Sequence, residues 1–392
     1  MSSANFEHLH AAMRSQVDQQ YLPGVSYALL RGRDVVDRFC YGHADREASI
    51  PLREDHIFRI FSNTKLITSC AALLLYDEGK FGLDDPIETY IPELRDRQVL
   101  RSGATRIDDT EPAKGPITIR HLMTHTSGLS YGIFDPGSVM FQAYNQAGVL
   151  NPTRTLAEQM TVIGTLPLSF HPGTQWQYSV ATDVVARLVE VVSGERFGAF
   201  LARRIFGPLG MHDTDFWVPP EKRERFCALY VGADLLDPMK PGLSRLDSRP
   251  YPGAYLARVP NEAGGGGLVS TLDDTVKFLQ SLLPGGPNLL KPQTMALMGQ
   301  NQLPAHLSVQ FANMPPMTWR GFGLGSAIAI APDRSEPANV VSEVGWGGLA
   351  GTIWWYNPRM GIAAVLMTQR HMGFGNPYTF VFKKEAYKAL GC

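Results

Sequence analysis

The spacing of apolar positions changes several times along the chain, and each change marks an element. Residues 4–20 carry scattered apolar positions among polar ones, which predicts a polar amphipathic helix. GVSYALLRG and DVVDRFCYGHAD, between Gly24 and Asp45, are apolar or alternating over strand lengths. They meet at Arg31-Gly32-Arg33-Asp34, which predicts a hairpin. From Ser62 to Lys80 apolar residues recur at Leu66, Ile67, Cys70, Leu73, Leu74 and Leu75, with Gly79 as a fitting stop. This is the strongest predicted helix.

Residues 86–225 read as mainly helical and loop-rich, with helices at 155–163 and from Thr182 to Val192. After Gly264 the pattern changes again. LDDTVKFLQSLL predicts a helix, FGLGSAIAI, NVVSEVGW, AGTIWWYN and GIAAVLMTQ predict strands, and a last helix runs from Pro377 to Leu390. Strands at both chain ends with helices between them predict an α+β fold. A sheet is built from residues 1–88 and 226–392, and a mainly helical domain, 89–225, is inserted.

The 392 residues include 44% hydrophobic and 19% charged residues, so a sizeable core is expected. Net charge is -1 and no long basic run occurs, which gives nucleic-acid binding no electrostatic support. No run of about 18 apolar residues appears, so no membrane span is expected. The N-terminus lacks a charged start followed by an apolar block, and a cytoplasmic location is expected. Cys40, Cys70, Cys227 and Cys392 form no C-x-x-C pair and read as reduced thiols. No metal site and no cofactor are expected.

Three stretches carry candidate chemistry. Ser62-Asn63-Thr64-Lys65 reads S-x-x-K at a helix start. Residues three apart share a helix face, so the Lys65 amine can reach the Ser62 hydroxyl and take its proton. The helix that Lys65 opens is apolar, where an unpaired lysine is costly. Tyr178 lies in HPGTQWQYS, a loop before the Thr182 helix, and is a candidate proton relay. Gly345-Trp346-Gly347-Gly348-Leu349-Ala350-Gly351 precedes the TIWWYN strand, and its glycines permit close approach of backbone or ligand. A backbone N–H there can join that of Ser62 in an oxyanion hole.

Taken in this order, the three elements resemble the serine β-lactamase and penicillin-binding-protein superfamily. The likeness is greatest to its class C branch and to the family VIII carboxylesterases. It spans about residues 20–385 and includes LMTHTSGL at 122–129, Pro172-Gly173 and Pro208-Leu209-Gly210-Met211. It implies a β-lactamase-like fold, an antiparallel sheet flanked by helices. It makes Ser62 the nucleophile, gives proton transfer to Lys65 and Tyr178, and gives the oxyanion to the N–H groups of Ser62 and Leu349. Tyr131, Trp346, Gly347 and Gly348 are then expected to line the substrate pocket. Two positions depart from the family pattern. Val180 stands where Y-x-N has asparagine, and Trp346 stands where K-T-G has lysine. Those polar groups help hold a substrate carboxylate in penicillin-recognising enzymes. Their replacement shifts the expected substrate from lactams to small uncharged esters with short acyl chains, with weak β-lactamase activity on the side. Acyl transfer, D-amino-acid peptidase or amidase action, class C-like lactam hydrolysis and a non-turning-over sensor remain alternatives on the same serine.

Two other motifs lose on context. Gly128-Leu129-Ser130-Tyr131-Gly132 fits G-x-S-x-G, but no buried strand precedes it and a loop follows. His121 and His125 sit at i, i+4 without the glutamate of H-E-x-x-H, and read as structural residues about the SGL turn.

Overall fold

Strand β1 (Gly24–Arg31) sends Tyr27 and Leu29 to one face and Ala28 and Leu30 to the other, and all four are buried. A strand buried on both faces needs a helical layer on each side, and that is what surrounds it. The computed structural model describes residues 3–312 and 314–392. Its main sheet has eight antiparallel strands. They are β1, β2 (Asp34–Asp45), β3 (Ile50–Pro51), β4 (Arg320–Phe322), β5 (Ala327–Ala329), β6 (Val344–Gly347), β7 (Ile353–Asn357) and β8 (Ile362–Met367). Their spatial order is β4-β5-β6-β7-β8-β1-β2-β3. The pairing of β8 with β1, Met367 against Ser26 through Ile362 against Arg31, joins the two chain ends.

One face is covered by α1 (Ser3–Asp18) and α5 (Pro377–Ala389), whose Leu9, Met13, Phe382 and Tyr387 pack on Tyr27, Leu29 and Trp355. The opposite face carries the larger core. There α2 (Thr64–Asp77), α3 (Ala181–Ser193) and α4 (Leu272–Gln280) meet Ala28, Leu30, Trp354 and Val365. The fold is thus α+β and β-lactamase-like, with helices on both faces of an antiparallel sheet.

The structure corrects three expectations. The α-helix expected from Ser62 begins at Thr64, and Ser62 lies in a 3-10 turn, Phe61–Asn63, ahead of it. Phe61 has φ +42°, a left-handed conformation that keeps this turn out of the α-helix. FGLGSAIAI is not one strand: it contains the end of β4, a turn at Gly323–Ser326 and all of β5. Within NVVSEVGW and AGTIWWYN, only Val344 onward and Ile353 onward are extended. The four cysteines are free, as expected. Among the described residues no helix is long and apolar enough to cross a membrane.

Candidate active site

Three elements converge at the end of β6. The 3-10 turn before α2 presents Ser62, the first turn of α2 presents Lys65, and the loop before α3 presents Tyr178. Tyr178 Oη donates to Ser62 Oγ at 2.8 Å, and Lys65 Nζ lies 3.4 Å from the same oxygen. The Lys65 ammonium also donates to the Gly265 carbonyl at 2.6 Å and stands 4.6 Å from the centre of the Tyr178 ring. Only 1% of Lys65 is exposed, so these partners replace water around its charge. From β6, Trp346 Nε1 donates to Tyr178 Oη at 3.2 Å, so the sheet contacts the Tyr178 hydroxyl directly.

Behind Lys65 lies a carboxylate that the motifs did not point to. Asp183, in the first turn of α3, accepts from Gly265 N–H at 3.0 Å through Oδ1, and its Oδ2 has no partner. Burial pushes the Asp183 carboxyl above the usual range, and the Lys65 charge pulls it back. One peptide, Gly265, thus ties a buried cation on its carbonyl to a buried anion on its N–H. Gly264–Gly267 is therefore a packed contact. Its glycines fit because a Cβ on Gly264 stands 2.6 Å from Ala186 Cβ, and one on Gly265 stands 2.8 Å from Asp183 Oδ2. His125, with φ +57°, sits beneath Tyr178 at 4.9 Å between ring centroids and shares a hydrogen bond with Ser179 Oγ. Burial first, and Lys65 second, push its pKa well down, so it is a neutral ring at pH 7.

Ser62 opens into a cavity of about 190 Å³ walled by Phe134, Tyr178, Phe311, Trp346, Gly347, Leu349, Ile353 and Phe374. Among the described residues no charged side chain lines it. Leu349 N–H has no hydrogen-bond partner among the described residues, whereas Gly348 N–H is taken by the Thr352 carbonyl at 2.7 Å. Gly348 is not on the wall. It packs behind it, where a Cβ lies 2.4 Å from Ile60 O and Thr352 Oγ1. Tyr131 stacks on Tyr178 at 5.7 Å and faces a neighbouring cavity of about 630 Å³ instead. The aromatic walls Phe134, Phe311 and Phe374 were not singled out in the sequence. They come from loops far apart in the chain.

Ser130 is buried and accepts from Gln177 Nε2 at 3.0 Å, with no base beside it. His121 closes a capping box with Thr118 at the start of Ile119–Met123. Neither histidine joins a group able to hold a metal ion among the described residues.

Sequence and structure comparisons place the chain as a whole. The Beta-lactamase family model matches residues 9–386. The chain belongs to that family, a class of serine acyl enzymes. Esterase EstB of Burkholderia gladioli is 31% identical over 97% of this chain and 94% of its own. Acyltransferase calJ of Penicillium decumbens is 32% identical over 83% of this chain and 78% of its own. Among solved structures, EstCE1, described as a hydrolase with promiscuous acyltransferase activity, superposes with a TM-score of 0.82. It covers 98% of this chain and 100% of its own at 24% identity, a likeness of fold.

Proposed function

We propose that the protein is a serine carboxylesterase that cleaves short-chain, uncharged acyl esters through an acyl-enzyme on Ser62. One observation carries the reading. Ser62 Oγ, held between Tyr178 Oη and Lys65 Nζ, faces a small cavity without a charged side chain. Ser62 Oγ bonds to the ester carbonyl carbon as its proton passes to the Lys65/Tyr178 pair, which accepts it in the state holding one proton fewer, Lys65 as the neutral amine or Tyr178 as the phenolate. The carbonyl electron pair moves to oxygen, facing the N–H groups of Ser62 and Leu349. Collapse of this intermediate breaks the bond to the alcohol oxygen, which takes the proton back. Water then repeats the sequence on the acyl-enzyme, giving the acid and free Ser62. Trp346 in place of a lysine leaves a substrate carboxylate without a partner, which disfavours lactams.

Ser62→Ala should abolish hydrolysis of p-nitrophenyl butyrate, whereas Ser130→Ala should keep most of it. Loss with Ser130→Ala alone, or nitrocefin turned over faster than the ester, overturns the reading. A second reading, acyl transfer to an alcohol instead of water, is favoured by the likeness to acyltransferase calJ. Adding an alcohol acceptor and measuring new ester against free acid separates the two.

A further inference from the structure

The cavity at Ser62 is the smaller of two that share walls. Tyr178, Phe134 and Phe311 also line the 630 Å³ chamber on the other side of Tyr178. The Phe134 and Phe311 rings, 6.0 Å apart and edge to face, form a partition between them. The reaction sets the orientation of a bound ester. The leaving oxygen must lie beside Tyr178 Oη and Lys65, which reprotonate it, and the oxyanion must face Leu349. The alcohol half of the ester then runs past Tyr178 towards the chamber. The acyl half stays in the 190 Å³ pocket against Trp346, Ile353 and Phe374.

The chamber is far larger than a methyl or ethyl group requires and lies within the range of about 300–1,000 Å³ usual for ligand sites. Its chemistry differs from that of the acyl pocket. Gln142, Gln175, Gln177 and Gln310 line it; Gln177 Nε2 already donates to Ser130 Oγ and Gln310 Nε2 to the Met314 carbonyl, while Gln142 and Gln175 offer amide donors and acceptors. Tyr131 and Trp176 add aromatic faces. Among the described residues no lysine, arginine or histidine lines it, and Asp135 is its one formal charge. An anionic alcohol therefore finds no cation and meets a carboxylate, while a neutral polyol finds amides to satisfy its hydroxyls.

We infer that this chamber is the alcohol subsite of the enzyme, and that it takes a bulky, neutral, hydroxyl-rich alcohol such as a sugar ring. The inference rests on the esterase reading, and its test separates the two. Methyl 3-O-acetyl-glucopyranoside and the corresponding uronate differ only in a CH₂OH against a carboxylate. The wild-type protein should cleave the neutral acetate with a kcat/KM about tenfold or more above the anionic one. Gln142→Trp, on the exposed side of Val139–Gln146, should fill the chamber. It should lower kcat/KM for the glucoside acetate about tenfold relative to ethyl acetate measured on the same sample. Equal handling of the two sugar acetates, or a Gln142→Trp effect that does not distinguish glucoside from ethyl acetate, overturns the alcohol subsite. Failure of the esterase reading itself shows differently, as the absence of Ser62-dependent acetate release from p-nitrophenyl acetate.

Discussion

Trp346 is where the departure from a charged sheet-edge residue has a direct chemical effect. Its ring walls the cavity at Ser62 while its N–H reaches the tyrosine beside that serine, Nε1 donating to Tyr178 Oη at 3.2 Å. The two roles separate by substitution. Trp346→Phe keeps an aromatic wall and removes one hydrogen bond, worth about 0.5–1.5 kcal/mol net, so kcat should fall about two- to tenfold with KM little changed. If KM moves instead, the indole acts as a wall alone. Tyr178→Phe should cost more, about a hundredfold or more in kcat, because it removes the hydroxyl that touches Ser62 Oγ and is proposed to move the proton. Both effects are read from initial rates on one p-nitrophenyl ester. Ser62, Lys65, Tyr178 and Trp346 are legible in the sequence because short motifs mark them. Asp183 is not. An acidic residue in the first turn of a helix is already explained by the helix dipole, and nothing local shows that Gly265 folds onto it.

At the scale of elements, the site depends on how closely α3 and the Gly264–Gly267 loop approach each other and α2. A Cβ on Gly264 would meet Ala186 and Thr182 of α3 and Thr68 of α2, and the Gly264 carbonyl accepts from Thr68 Oγ1 at 2.8 Å. A methyl there cannot fit without moving backbone. Gly264→Ala should cost about 1–3 kcal/mol in chemical denaturation and also lower kcat, since the next peptide holds Lys65. Gly115→Ala, where an added Cβ meets nothing within 4 Å, should leave both almost unchanged. The elements that sequence periodicity identifies are those long enough to show a period: the β1–β2 hairpin, α2, α3 and α5. Pairs such as Phe58–Arg59 with Val269–Ser270 are two residues long and exist only through contacts across the fold. FGLGSAIAI reads as one strand because its apolar run continues across the turn, and only tertiary pairing reveals the fold-back at Gly325, where φ is +99°.

For the molecule as a whole, packing the helices and loops against the sheet leaves two histidine rings sealed from water. His125 lies between Tyr178, Trp176 and Phe322, facing Lys65, and is 1% exposed. His56 is fully buried beside Arg53, Asp55 and Arg225. Burial lowers the pKa of both, so the native state keeps them neutral while the unfolded chain protonates them near pH 6.5. Below that pH the unfolded state binds more protons, and stability must fall as pH falls. Each excluded proton costs about 1.4 kcal/mol per pH unit until the native pKa is reached. Asp37, Asp183 and Asp274 have raised carboxyl pKa values, chiefly from burial, and act with the opposite sign. The stability they withhold at neutral pH returns as the pH drops through their native values towards the ordinary carboxylate range. Denaturation midpoints should therefore fall from pH 7 to pH 5.5, and His125→Gln, which has no proton to exclude, should flatten the slope. A slope unaltered in that variant assigns the acid sensitivity to other groups. A midpoint that rises over this interval shows that the carboxyls outweigh the histidines.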